Sequence, residues 1–298
     1  MLKPAAKAVP ISQKDIDDAR AYLLDLKGFT AKGEGVFKRR QEVRLRNRLV
    51  RRWKGQRDWL LDALKGLSAF KEKPKGVTFI EGKAHDDEIE QLVDGMPGDV
   101  EIVEDVVATS RTSYNRGARV QHAKLGLAKI GISWTIVNDD AADYLSKLRT
   151  VHLSDYRGSI SGETKKRIIR LVKDAVLNGN TYDEMAKTIR DQGEAGVFSK
   201  ARGELIAVNQ VGNAYGEGNN RMVRRAIEET GKKVKKSWLT TGDDRVTPEC
   251  QAYEDKGWID FEANFTNEFG TSDQRAPRKT NPRCRCDTVY ELKDDTEA

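Results

Sequence analysis

The chain has 298 residues, 38% hydrophobic, 34% charged and 7% aromatic, with 53 Lys+Arg against 47 Asp+Glu. That length suits one large domain or two ordinary ones, and the modest apolar share implies a small core with part of the chain dependent on a partner. No run approaches the roughly 18 apolar residues of a membrane span, the N-terminus has no apolar stretch of a signal peptide, and the only cysteines, Cys250, Cys284 and Cys286, are too few for a disulfide scaffold and suit a reducing compartment.

Residues 12–27 predict a short helix. Ser12 is its cap, Ile16, Ala19, Leu23 and Leu26 form one stripe, and Gly28 is the stop. Residues 30–36 read as a glycine-containing turn. Residues 37–68 predict one long helix, or two with Gly55 as the break. Val43, Leu49, Val50, Trp53, Leu60, Leu61 and Leu64 recur at helical spacing, so one side can be buried.

This helix carries most of the positive charge. Within residues 38–57, ten of twenty residues are Lys or Arg and Glu42 is the only acid, a net +9. Such a segment neutralises phosphates and binds nucleic acid in a salt-sensitive, sequence-tolerant way. The candidate contacts are Arg39, Arg40, Arg44, Arg46, Arg48, Arg51, Arg52 and Arg57. Two other readings remain open: docking on an acidic protein surface, or a solvated helix face. Residues 71–104 predict an irregular charged connector with a short strand at 77–80. Within 85–105 lie nine acids and no Lys or Arg, interrupted by Gly95, Pro97 and Gly98, which reads as a linker or mobile loop.

From residue 106 the pattern is steadily helical. A helix is expected over 118–130, then a strand-like run at 132–137, then a helix over 139–149 capped by Asn138. Ile168, Leu171, Val172, Ala175 and Val176 mark a helix over 163–178. Thr181 and Glu184 have the spacing of a capping box. Ser199 caps a long helix running to about residue 230, with Gly212, Gly216 and Gly218 inside it. After Lys236 the composition changes. Trp238, Trp258 and Phe261 stand among Gly, Asp, Asn and Pro, the signature of a small loop-rich α+β module with the two tryptophans as its core.

The expected fold is therefore mainly α, with N-terminal and central helices and a small α+β, loop-rich C-terminal module. The divisions are a basic helical region (1–70), an acidic connector (71–105), a central helical domain (106–236) and the C-terminal module (237–298).

Catalysis finds little support. No histidine lies near the cysteines in sequence, so a thiol nucleophile lacks its base. Asp243 and Asp244 can hold Mg²⁺ for a nuclease, but the further acids and basic helper of such a site are not identifiable. The expectation is a non-enzyme, with a metal-dependent nuclease as the alternative.

Three segments stand in an informative order: ARGELIAVNQVGNAYGEGNN at 201–220, WLTTGDDRVTPECQAYEDKGW at 238–258, and APRKTNPRCRCDTVYEL at 276–292. With NGNTYDEMAKTIRD at 178–191, they resemble the phage head morphogenesis family, the Mu F-like minor head proteins, over about residues 130–298. The matching motif residues are Trp238, Asp243, Asp244, Arg245, Cys250, Gly257, Cys284, Arg285 and Cys286. Relatives often read Cys-x-x-Cys in the second segment, where Thr247 replaces the first cysteine. They often carry a histidine where Asn281 stands, and an acid where Gln210 stands.

The resemblance implies a minor capsid protein of a tailed phage or prophage, inside the head near the portal after assembly in the host cytoplasm. It implies portal, major capsid or scaffold protein and double-stranded DNA as partners, roles in packaging or DNA delivery, and no membrane. Mu F-like modules also resemble the leading part of some secreted toxins; no further domain follows residue 298 here, which speaks against that alternative. A full Cys and His set would hold tetrahedral zinc. This chain keeps Cys250, Cys284 and Cys286, and Asp243, Asp244, His122 or His152 are candidates for a fourth ligand. The opposing expectation is no cofactor, with the thiols buried as small hydrophobes. Arg245 and Arg285 are expected to clamp loops, one of them through Asp243 or Asp244.

Overall fold

The computed structural model describes residues 31–67, 86–127, 131–132, 138–153, 159–178, 180–191, 196–242, 246–272 and 284–292. Seven helices come first: α1 (Ala31–Leu64), α2 (Asp86–Asp94), α3 (Asp99–Lys124), α4 (Asn138–Leu153), α5 (Ile160–Leu177), α6 (Tyr182–Asp191) and α7 (Lys200–Thr230). Then follow β1 (Val234–Leu239), α8 (Pro248–Glu254), β2 (Ile259–Asp260), β3 (Phe265–Asn267), β4 (Gly270–Ser272) and β5 (Asp287–Leu292). The fold is mainly α with a small α+β unit at its C-terminal end. The expected elements at 12–27, 77–80 and 133–137 lie outside the described residues.

Helix ends follow local chemistry. The Ser159 hydroxyl accepts from Gly162 N at 2.9 Å and opens α5; the Ser199 hydroxyl accepts from Arg202 N at 3.1 Å and opens α7. The capping box ahead of α6 is reciprocal: Thr181 N donates to Glu184 Oε2 at 2.6 Å, and Glu184 N donates to Thr181 Oγ1 at 3.2 Å. Helix α7 stops at Gly231, whose φ of 67° is left-handed.

Two sequence expectations fail. The turn expected at 30–36 is the first turn of α1, and Gly55 does not interrupt that helix. Tertiary pairing overrides glycine's poor helix propensity there. Glu34, in the first turn, accepts from Arg116 of α3 and from the Tyr215 hydroxyl of α7. The acidic run is likewise no loop. Residues 86–94 form α2, and α3 starts at Asp99 rather than 118, running unbroken through residues 105 and 106.

The helical body has three connected apolar layers. Leu60, Leu61 and Leu64 of α1 meet Ile89 and Val93 of α2, Ile168 and Val172 of α5, and Met185 and Ile189 of α6. Leu45, Leu49 and Trp53 of α1 pack on Ile102 and Val106 of α3 and Ala207 of α7. Tyr114 and Ala118 of α3 face Ala214, Met222 and Ala226 of α7. Helices α3 and α7 touch backbone to backbone at this crossing. A Cβ at Gly117 would lie 2.1 Å from the Tyr215 carbonyl oxygen, and one at Gly218 would lie 2.1 Å from that of Tyr114. Gly218 thus serves close packing, and α7 remains one helix through all its internal glycines.

In the C-terminal unit, β1 is central, with β2 and β5 antiparallel on either side. Trp238 pairs with Thr288 across β1 and β5. Strands β3 and β4 form a separate hairpin. Trp238 is buried and packs against Tyr253 at a tilt and against Phe265 edge to face, with ring centroids 4.7 and 5.2 Å away. Trp258 is not its core partner, being 44% exposed. Tyr253 of α8 and Phe265 of β3 fill that space instead, because α8 lays its inner face over the Trp238 side of the sheet.

Candidate functional site

The basic segment lies on α1, and packing divides its cations into two groups. Leu45, Leu49 and Trp53 point inward with no exposed surface. Cations flanking that apolar stripe meet acids of the same chain. Arg48 and Arg52 share Asp105 of α3 at 3.4 and 3.2 Å. Arg39 bonds Glu204 of α7 at 3.1 Å and Glu42 at 3.3 Å, and this hydrogen bond holds the Glu204 carboxyl below the usual carboxylate range. Arg57 pairs with its neighbour Asp58 at 3.2 Å, and Arg46 donates to Asn47.

Arg40, Arg44, Arg51 and Lys54 are exposed and make no ion pair among the described residues. At about 100° per residue, these four positions fall within about 80° of one another around the helix. They span about 21 Å along its axis at about 1.5 Å per residue. The outward face of α1 is therefore a cationic stripe, and four of the ten basic residues in 38–57 carry it.

The acidic run completes this division. Asp86 and Glu90 hold Lys173 of α5 at 3.1 and 2.8 Å, Asp94 and Asp99 hold Lys165 at 3.4 and 3.6 Å, and Glu104 holds Arg149 of α4 at 2.8 Å. The Gln56 amide of α1 donates to Asp99 Oδ1 at 3.0 Å and to the Pro97 carbonyl at 2.9 Å. The acids fasten α2 and α3 to their neighbours.

At the N-terminal end of α1, charges are buried. Glu34 is paired with Arg116 at 2.9 Å, and the Tyr215 hydroxyl donates to its other oxygen at 2.7 Å. Burial, reinforced by the Glu34 charge, pushes the Tyr215 phenol well above its ordinary value. Lys38 forms an ion pair with Asp287 at the start of β5 and lies over the Tyr215 ring. Arg285 bonds Glu42 at 3.3 Å and lies 3.8 Å from Glu204. These contacts line a cavity of about 500 Å³ where α1, α3 and α7 meet β1 and β5.

Arg285, expected to tie loop segments together, instead meets Glu42 of α1 and Glu204 of α7 among the described residues. Asp243, Asp244 and Arg245 lie outside the described residues, as do the clamp and nuclease readings that rest on them. Gly257 has a φ of 67°, and its N–H donates to the Glu254 carbonyl as the chain leaves α8. Of the charged and phenolic residues that line the cavity, sequence reasoning missed Glu34, Tyr215 and Asp287, and behind them their partners Arg116 and Glu204. The one local signal was Glu42, a lone acid in a basic helix, which is 4% exposed here.

The three cysteines converge. Cys250 in α8 and Cys284 and Cys286 before β5 are all buried, and their sulfurs lie within 4.8 Å of one another. Cys250 Sγ and Cys284 Sγ are 3.8 Å apart. Hydrogen bonding from the Cys284 and Cys286 thiols pulls the Cys250 thiol down, and the same bonds push Cys286 up. One thiolate in the cluster is therefore favoured at the expense of the second. Among the described residues, neither His122 nor His152 joins it. His122 contacts the Ile132 carbonyl, and His152 is buried in α4.

One family model matches part of the chain. Residues 166–289 match the model of the phage Mu protein F like proteins. That segment is similar to those proteins. The matched segment begins in α5 and ends in β5, so it holds α7, the thiol cluster, Arg285 and Asp287 but not the cationic stripe. No curated protein and no solved structure matches the chain. No helix among the described residues is long and apolar enough to cross a membrane.

Proposed function

We propose that this chain is a minor head protein of a tailed phage or prophage, located inside the capsid near the portal, with no catalytic role. The match over residues 166–289 carries this reading. The Mu F-like part docks on portal or on the major capsid or scaffold protein. Helix α1, whose residues precede the matched segment, turns its stripe of Arg40, Arg44, Arg51 and Lys54 toward packaged double-stranded DNA. The division of charge on α1 supports the second step: Arg39, Arg48 and Arg52 meet acids of other helices, while Arg40, Arg44, Arg51 and Lys54 face outward.

The test is cross-linking followed by mass spectrometry on purified phage heads. The expected result is a low copy number of the chain, with cross-links from residues 166–289 to portal or capsid protein. Heads that lack the chain, or that carry it only on their outer surface, overturn the reading.

A further inference from the structure

We infer that Cys250, Cys284 and Cys286 form a zinc site that staples the C-terminal unit together. The sulfur geometry carries the inference. Zinc–thiolate bonds of about 2.3 Å at a tetrahedral ion place neighbouring sulfurs about 3.8 Å apart. Cys250 and Cys284 already stand at 3.8 Å, and the third sulfur lies within 4.8 Å of both. A disulfide needs sulfurs about 2.05 Å apart, and it would leave the third thiol buried and unused. The three thiolates fill three positions of zinc, and the fourth falls to water or to an oxygen donor from the chain.

The surroundings give such an ion work to do. Among the described residues, the unit has, apart from the two six-residue strands β1 and β5, a seven-residue helix and strands of two or three residues. The cluster around the thiols is small: Trp238, Tyr253, Phe265 and the three cysteines, with Val246 and Ile259 packed against them. Units with so little regular structure commonly need a metal or a disulfide to hold them. The cysteines also stand on both sides of Arg285, with Asp287 next in the chain. A metal holding Cys284 and Cys286 would fix the segment that reaches Glu42 through Arg285 and Lys38 through Asp287. The zinc site and the joint with α1 are thus one device.

The test uses the full chain, produced in bacterial cytoplasm with added Zn²⁺ and purified without chelator. Elemental analysis and native mass spectrometry should find about one zinc per chain, released when a mercurial thiol reagent titrates the cysteines. Cys284→Ser and Cys286→Ser should each lose the metal. Because those variants can also unfold, Co²⁺ is exchanged into the unaltered chain, where thiolate-to-cobalt charge-transfer absorption is expected. Only traces of zinc, an absent cobalt–thiolate band, or a melting temperature unmoved by Zn²⁺ would each overturn the inference. So would a mass showing a Cys250–Cys284 disulfide in the freshly isolated chain.

Discussion

Replacing Arg40, Arg44, Arg51 and Lys54 together by alanine isolates the outward stripe of α1. All four are exposed, and alanine is the best helix former, so the helix should persist. Four cations neutralising four phashates of duplex DNA give a logarithmic salt slope of about −3.6, which is about a 150-fold loss of affinity between 50 and 200 mM salt. Fluorescence anisotropy with a labelled duplex, repeated across that range, measures the slope. In the fourfold variant it should collapse toward zero. Arg48 and Arg52 provide the control. They share one carboxylate, Asp105, so removing both takes away two cations but frees one acid. Because neither contacts a phosphate in this reading, their loss should leave the slope close to that of the unaltered chain. A fourfold variant that keeps its circular dichroism and its salt slope would refute DNA contact through this face. A larger effect from Arg48 and Arg52 than from the stripe would refute the division of α1 into holding and contacting cations.

Three further outcomes follow from the packing. Gly117→Ala and Gly218→Ala each place a methyl group 2.1 Å from a backbone oxygen, so each should cost about 3 kcal/mol or more in urea unfolding. Gly55→Ala meets nothing within 4 Å and should instead stabilise by about 0.5–1 kcal/mol. Glu34→Gln removes a buried ion pair with Arg116 and should cost about 3 kcal/mol, whereas Tyr215→Phe removes one hydrogen bond to a carboxylate and should cost about 1.5 kcal/mol; both are read from denaturant midpoints. His152 is 5% exposed, and burial lowers its pKa below the ordinary 6.5. The unfolded chain then binds the proton first, so stability should fall as pH drops below about 6.5 and level off beneath the folded value. His152→Gln should flatten that part of a melting-temperature profile against pH.

What could be read from the sequence was what neighbours in the chain decide. Ser199 and the Thr181–Glu184 box act within one turn, so spacing alone located the starts of α6 and α7. The stripe of Ile168, Val172 and Ala175 likewise marked the buried face of α5. What failed was decided across the fold. Glycines before residue 36 looked like a turn because the partners that hold Glu34, Arg116 and Tyr215, lie 82 and 181 positions away. The acidic run looked like a linker because its cations, among them Lys165 and Lys173, lie in a different helix. Trp258 looked like core because its size says nothing about which aromatic reaches Trp238 first.

The net charge of +9 over residues 38–57 gains its meaning from that same nonlocal pairing. A helix with ten cations and no acids nearby would expose charge all round, and nothing would select the face that meets a partner. Here Glu204, Asp105 and Asp287 take up Arg39, Arg48, Arg52 and Lys38. Together those pairs fasten α1 to three elements, α7, α3 and β5. The acids therefore set the rotation of α1 as well as lowering its charge, and the rotation they set leaves Arg40, Arg44, Arg51 and Lys54 outward. Asp287 and Arg285 belong to the segment that carries Cys284 and Cys286. If zinc holds that segment, removing the metal should loosen the Lys38 and Arg285 contacts and let α1 turn. DNA affinity at low salt would then fall in the zinc-free chain even though none of the four outward cations has changed. Equal affinity with and without zinc would separate the two sites and confine the metal to stability.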